Sequence, residues 1–247
     1  MVKWLSALAV IVAVMASGAV RAGDEVVLAT INWPPYVGPD LDHSGFDAEI
    51  VDRAFEFSGR TVRLEYVTWA RGLRLVAEGS LHGIFPAYSS PQREATYIMS
   101  APYSKSVLGF FKRKDRLIRY LSLVDLAPYT IGVVRGYVNT PEIDDSDILR
   151  REESASDLSL LKKLFRGRLD LAVMDKYVGR HLIASRLPQA VGRLEFLAPP
   201  LEVKDLHIAF TRKMPGIQRI VQDFNRGVAR LRESGAISEI MARHGVR

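Results

Sequence analysis

The chain has 247 residues, 48% hydrophobic, 25% charged and 9% aromatic, with a formal net charge of +6. That composition excludes disordered, collagen-like and coiled-coil chains, and the length suits one large domain or two small ones with a sizeable core. There is no cysteine, which removes disulfides, thiolate metal sites, iron–sulfur clusters, a cysteine nucleophile and a lipid-anchored amino-terminal cysteine.

In chain order, Met1 and Lys3 precede an uncharged apolar stretch from Trp4 to Val20, and small residues stand at Val20 and Ala22. A basic start, a short apolar run and a small-x-small exit read as a secretory signal peptide over residues 1–22. The stretch is at the low end of what a membrane anchor needs. Cleavage would remove Lys3 and Arg21, lower the net charge to +4 and leave a soluble chain starting near Gly23. The basic residues are scattered. Lys112-Arg113-Lys114 is the only tight run, and Asp115 interrupts it, so no nucleic-acid footprint is expected.

Val26 to Ile31 reads as a strand, stopped by Trp33-Pro34-Pro35-Tyr36 because proline cannot continue a ladder. Phe46, Ile50 and Ala54, with Val51 and Phe55, recur at helical spacing up to Gly59. Thr61 to Val67 alternates as a strand, Thr68 opens a helix through Glu78, Gly79 ends it, and Gly83 to Tyr88 is a third strand. Ser90-Pro91 signals the cap and first turn of a short helix. Strand and helix alternate, which predicts α/β layering with parallel strands.

The pattern then restarts. Tyr129 to Val134 is a strand, Thr140-Pro141-Glu142 opens a helix, and Ser156 caps another whose apolar face is Leu158, Leu161, Leu164 and Phe165. Leu169 to Met174 is a strand, Lys176 to Arg186 a helix, and Arg193 to Leu197 a strand. After Pro199-Pro200 come a strand from Leu206 to Thr211 and a long amphipathic helix carrying Ile217, Ile220, Val221, Phe224, Val228 and Leu231. Two α/β units of similar size result. Residues 104–116 and 199–205 are the expected crossings between them, with the carboxy-terminal strand and helix returning to the first unit. Two lobes joined by two strands suit hinge closure around a ligand. The expected division is 23–107 for the first part of lobe 1, 108–201 for lobe 2 and 202–247 for the return segment.

In open α/β sheets, ligands bind beyond the carboxyl ends of strands. That selects Asn32 to Tyr36, Val67 to Arg71, Pro86 to Arg93, Arg135 to Thr140, and Asp175. Arg93 falls in the first turn of a predicted helix, where a cation opposes the helix dipole and asks for an anionic partner. Its fork suits a carboxylate, although Glu94 or a neighbour could serve instead. Asp175 could receive an ammonium group, cap the helix that follows, or do both. Trp33, Tyr36 and Trp69 could wall a stacking pocket or simply join the core. Ser89 and Ser90 could donate hydrogen bonds, or Ser90 could only cap. The amides around Arg135-Gly136-Tyr137 could meet an anion.

Ser90-Pro91-Gln92-Arg93-Glu94 followed by Ile98-Met99-Ser100-Ala101-Pro102-Tyr103 resembles the "T-P-E-R … F-S-x-P-Y" signature of the solute-binding proteins of polar amino-acid ABC importers, bacterial extracellular solute-binding proteins of family 3. Gly45-Phe46-Asp47-Ala48-Glu49-Ile50 resembles that family's "G-F-D-x-D-L". Gly167-Arg168-Leu169-Asp170 with Val173-Met174-Asp175 resembles its "G-R-x-D-A-x-x-x-D". The matches stand in family order over nearly the whole mature chain.

The resemblance implies an α/β, type II periplasmic binding protein fold, two lobes on a two-strand hinge. It implies a periplasmic protein that hands an amino acid or related carboxylate to an inner-membrane ABC permease. No cofactor or metal is expected. Arg93 would grip the ligand α-carboxylate, Asp175 the α-ammonium, and Trp33 would stack on the ligand side chain. The chain departs from the pattern at Arg135-Gly136-Tyr137-Val138, which lacks the usual hydroxyl donors, at Gly79-Ser80-Leu81-His82, and at Pro86-Ala87-Tyr88 where the family has "G-M-S/T". A monomer is expected.

Two other functions compete. A carboxylate-processing dehydratase or lyase on the same fold would need a general acid or base; Glu65, Glu78, His82 and His207 are conceivable, but none has a partner at useful spacing. The five histidines show no metal-ligand spacing, and there is no hydrolase elbow, phosphate loop or dinucleotide fingerprint. A ligand-sensing module without transport would carry the same residues.

Overall fold

The structure, a computed structural model, describes residues 25–246. The expected signal peptide, residues 1–22, lies outside them. Among the described residues, no helix is long and apolar enough to cross a membrane.

The first layer is β1 (Glu25–Thr30), α1 (Phe46–Glu56), β2 (Thr61–Tyr66), α2 (Trp69–Glu78) and β3 (Gly83–Ala87), with β1 parallel to both β2 and β3. α1 starts at Gly45 because its φ of 97° and the Tyr36 carbonyl leave no room there: a Cβ would sit 2.4 Å from that oxygen. Gly79 ends α2 in the left-handed conformation, as its sequence position predicts. Thr68 holds the cap position without a side-chain hydrogen bond to the helix. Ser90 caps the short α3 (Pro91–Thr96), accepting from the Arg93 amide, and a two-residue strand, β4 (Ile98–Met99), follows.

The second layer contains β5 (Ser104–Arg113), β6 (Thr130–Val134), α4 (Pro141–Asp144), β7 (Arg150–Ser154), α5 (Asp157–Phe165), β8 (Leu171–Asp175) and α6 (Lys176–Arg186). β6 runs parallel to β7 and β8. β8 is buried on both faces, with Leu171 and Val173 facing one apolar cluster and Ala172 and Met174 the other. The helix expected at Thr140 is a single turn. β7 has no counterpart in the sequence reading, because Arg150, Arg151, Glu152 and Glu153 are exposed on an edge strand and carry no apolar alternation.

The strands expected at 193–197 and 206–211 form one long strand, β9 (Leu194–Phe210). Pro199 and Pro200 fall where the pairing with β5 shifts register, between the Phe110–Leu197 and Leu108–Glu202 partners. There the ladder needs no amide donor, so two prolines can lie within the strand. The segments expected as crossings are therefore antiparallel partners in one sheet of order β2-β1-β3-β9-β5-β8-β6-β7, with β4 pairing β9 from the side.

The far end of β9 pairs with β3, and α7 (Ile217–Glu233) packs on α1. Gly227 makes that approach possible, since a Cβ there would lie 1.9 Å from the Ala54 carbonyl. Phe224 of α7 meets Phe55 at 5.2 Å, Tyr103 at 5.9 Å and Phe210 at 6.3 Å between ring centres. A final helix, α8 (Ala236–Arg243), closes the chain against α1.

Candidate functional site

The parallel pairing of β1, β2 and β3 sends their carboxyl ends to one edge. Ile31 and Trp33 follow β1, Trp69 opens α2 after β2, Pro86 lies near the end of β3 with Tyr88 just beyond it, and Arg93 projects from α3. With Tyr137 and Val138 after β6, these residues line a narrow cavity of about 40 Å³, measured to the centres of water-sized spheres. That space exceeds what one water needs. Five of the ten residues expected at the site from sequence meet here: Trp33, Trp69, Tyr88, Arg93 and Tyr137.

Arg93 is 9% exposed. Its guanidinium donates from Nη1 to the Tyr88 carbonyl at 2.7 Å and lies 5.2 Å from the Trp69 ring centre. No carboxylate among the described residues pairs with it; Glu94 accepts a hydrogen bond from the Ser89 hydroxyl instead. Burial lowers the Arg93 pKa, and only the nearby phenols of Tyr88 and Tyr97 oppose that shift. A buried cation with one carbonyl acceptor is costly until an anion joins it. The buried Nε1 of Trp69 is likewise a donor without an acceptor.

Asp175 has the opposite surroundings. It ends β8 at 2% exposure and caps α6. Its Oδ1 accepts from the amides of Tyr177 at 2.7 Å and Val178 at 3.0 Å. Its Oδ2 accepts from the Tyr36 hydroxyl at 2.8 Å, the Ser106 hydroxyl at 2.7 Å and the Val107 amide at 2.9 Å. Desolvation raises its pKa, and these donors pull it back. Ser106 spends its single proton on Asp175, so the Tyr88 hydroxyl donates to Ser106 Oγ at 2.6 Å. Asp175 does not line the cavity.

Tyr36 is fully buried beneath Trp33, their rings stacked at 4.4 Å, and its hydroxyl points away to Asp175. Ser90 caps α3. Arg135 is exposed and pairs with Glu153 at 2.8 Å, while the Arg135 and Tyr137 amides are bonded to the Ser154 and Val134 carbonyls. The Tyr137 hydroxyl donates to Asp157 at 3.3 Å, and burial pushes the Asp157 carboxyl up to about 7. Sequence does not single out Ile31, Ser106 or Asp157, and it reaches Val138 only within the Arg135 to Thr140 segment. Ile31 and Val138 are plain apolar residues, Ser106 lay inside a presumed crossing, and Asp157 was hidden behind the Ser156 cap. Among the described residues, no group of three or more His, Asp or Glu side chains could hold a metal ion.

The chain belongs to the bacterial extracellular solute-binding proteins, family 3, whose model matches residues 26–246. Membership makes it a solute-binding protein rather than an enzyme. Among solved structures it is similar to the amino acid ABC transporter substrate-binding protein AbpA from Streptococcus pneumoniae bound to L-arginine. That match has a TM-score of 0.75 at 16% identity, over 91% of this chain and 95% of that one. It is similar to the GluR0 ligand-binding core from Nostoc punctiforme in complex with (L)-glutamate, at 0.74 and 19%, over 88% and 98%. It is also similar to a histidine kinase sensor domain with similarity to periplasmic binding proteins, at 0.76 and 18%, over 89% and 95%. These likenesses show the type II periplasmic binding fold. No curated protein matches the sequence.

Proposed function

We propose that the protein captures a small carboxylate-bearing solute, an amino acid or a related acid, between a lobe formed by residues 23–107 and 202–247 and a lobe formed by residues 108–201. Arg93 grips the carboxylate. Trp33, Trp69, Tyr88 and Tyr137 wall the body of the ligand, and Asp175, held by Tyr36 and Ser106, fixes the closed arrangement. The carrying observation is Arg93 itself: a buried guanidinium with one carbonyl acceptor and no acid. Arginine and glutamate, the ligands named for two of the similar structures, both bear the carboxylate that this cation would meet.

In this reading residues 1–22 export the chain to the periplasm, where it acts as a monomer and delivers its ligand to an inner-membrane ABC permease. Closure brings the walls together around the ligand and strengthens the charge-assisted bond, and the ligand shifts the population towards the closed state. The test is calorimetric titration of ligand-stripped protein against a carboxylate panel. At least one member should bind in wild type and weaken 10-fold or more in Arg93→Met. Unchanged affinity in that variant would sink the proposal. The sensor-domain likeness supports a second reading, in which a membrane partner senses closure. Loss of labelled-ligand uptake on deleting the gene marks transport; intact uptake with a lost transcriptional response marks sensing.

A further inference from the structure

We infer that the ligand is a monocarboxylate without an ammonium group, carried on a compact apolar or aromatic body. This rests on the reading that Arg93 receives a carboxylate, and it concerns what the remainder of the site accepts. Three observations carry it.

The first is the saturation of Asp175. A carboxylate has about four lone-pair sites, and this one already accepts five protein donors. Two are amides in the first turn of α6. Among the described residues the Tyr36 phenol has only the Lys105 carbonyl, at 3.3 Å, as another acceptor, and Ser106 Oγ, whose proton goes to Asp175, accepts from Tyr88. An incoming ammonium would have to evict a buried donor and leave it poorly bonded. Asp175 thus has no lone pair to spare for a ligand's cation.

The second is the composition of the cavity wall. Its eight residues include one cation and no acid; the rest are Ile31, Trp33, Trp69, Pro86, Tyr88, Tyr137 and Val138. The hydroxyls of Tyr88 and Tyr137 are committed to Ser106 and Asp157. The wall offers a guanidinium and the unpaired Trp69 Nε1 as donors, and no carboxylate. A carboxylate, which only accepts, matches those donors, whereas an ammonium would meet only phenol oxygens and ring faces and would share the space with Arg93.

The third is charge pairing. Among the described residues no carboxylate pairs with Arg93, and the Asp157 carboxyl behind the wall is taken up by the Tyr137 hydroxyl, so it is a ligand carboxylate that the guanidinium lacks. A zwitterion would bring a second cation into the same desolvated space.

Matched ligand pairs test this on the full mature chain, stripped of ligand by unfolding and refolding. The pairs are L-phenylalanine with 3-phenylpropanoate and L-leucine with 4-methylpentanoate, each titrated into wild type and Arg93→Met. The expected result is that at least one deamino acid binds 10-fold or more tighter than its amino acid, and that Arg93→Met weakens it. If an amino acid binds as well as or better than its partner and the variant weakens it, the carboxylate site stands and the ammonium-free inference is overturned. If neither pair binds at millimolar concentration, or Arg93→Met changes nothing, the carboxylate-site reading falls and this inference falls with it.

Discussion

Arg93 and Asp175 follow strands in different halves of the sheet, both buried, both read from sequence as ligand-facing charges. Their surroundings separate them. Five donors converge on Asp175, while among the described residues the Arg93 guanidinium has one carbonyl acceptor and the face of Trp69. A charge that the protein has already satisfied is part of its framework. A charge buried with too few partners is a place where something else belongs. Mutations should split accordingly, with stability lost at one end and binding at the other.

The largest effect is expected at Asp175. Replacement by alanine removes the cap of α6 and strands the Tyr36 and Ser106 hydroxyls and the Val107 amide. The cost should be about 3–5 kcal/mol, the range for breaking a buried charged network. Urea unfolding measures it directly. A loss below about 1 kcal/mol would show that Asp175 is not the anchor its bonds suggest, and would restore it as a candidate ligand contact.

Arg93→Met should do the reverse. Removing a poorly compensated buried cation while keeping its volume should leave stability within about 1 kcal/mol of wild type. Carboxylate binding should fall by about 10- to 100-fold, the worth of a charge-assisted hydrogen bond. Equal losses of stability in both variants would erase the distinction between the two charges.

A third buried charge sharpens the contrast by pH. Asp47, in the first turn of α1, is fully buried. Tyr103 donates to its Oδ2 at 3.1 Å, and its Oδ1 has no partner. Burial pushes its carboxyl up to about 8; the Ser104 and Tyr103 hydroxyls pull it back and the charge of Asp175 pushes it up further. The unfolded chain releases this proton near pH 4 and the folded chain near pH 8, so folding is progressively weakened as pH rises between those limits. Asp157 acts in the same sense up to about pH 7. Asp47→Asn should therefore gain on wild type by about 1 kcal/mol for each pH unit between pH 5 and pH 8, read as a widening gap in Tm. Parallel pH profiles for the two proteins would show that Asp47 does not titrate in this range.

Much of this architecture is legible in the sequence because it is encoded locally. Gly79, Ser90-Pro91 and Ser156 mark helix ends through capping and backbone freedom, and α1 and α7 show their buried faces through spacing alone. β7 is not legible, since its four charged residues stabilise the sheet through backbone pairing rather than side-chain burial. The continuity of β9 is hidden for a related reason: two prolines look like a break until a register shift gives them a place. At the site, position after a strand pointed to Arg93, Trp33 and Trp69. The same rule also selected Arg135, which turns outward to Glu153, and Asp175, which turns inward to its own framework. Which way a charge turns depends on donors such as Tyr36, 139 residues away in the chain, and no local pattern carries that information.

Tyr36 offers the finest test of the contrast. Its ring is packed between Trp33 and Phe46, so Tyr36→Phe keeps the stacking and removes only the hydroxyl. Asp175 would retain four donors, and the net loss should be about 1 kcal/mol, the ordinary worth of one hydrogen bond. If Asp175 is framework, that modest loss is the main consequence, and carboxylate affinity at Arg93 should change less than threefold. A tenfold or larger loss of affinity with stability preserved would mean that the phenol acts on the ligand and that the two ends of the site are energetically joined. Double-mutant titration with Arg93→Met would then measure the coupling.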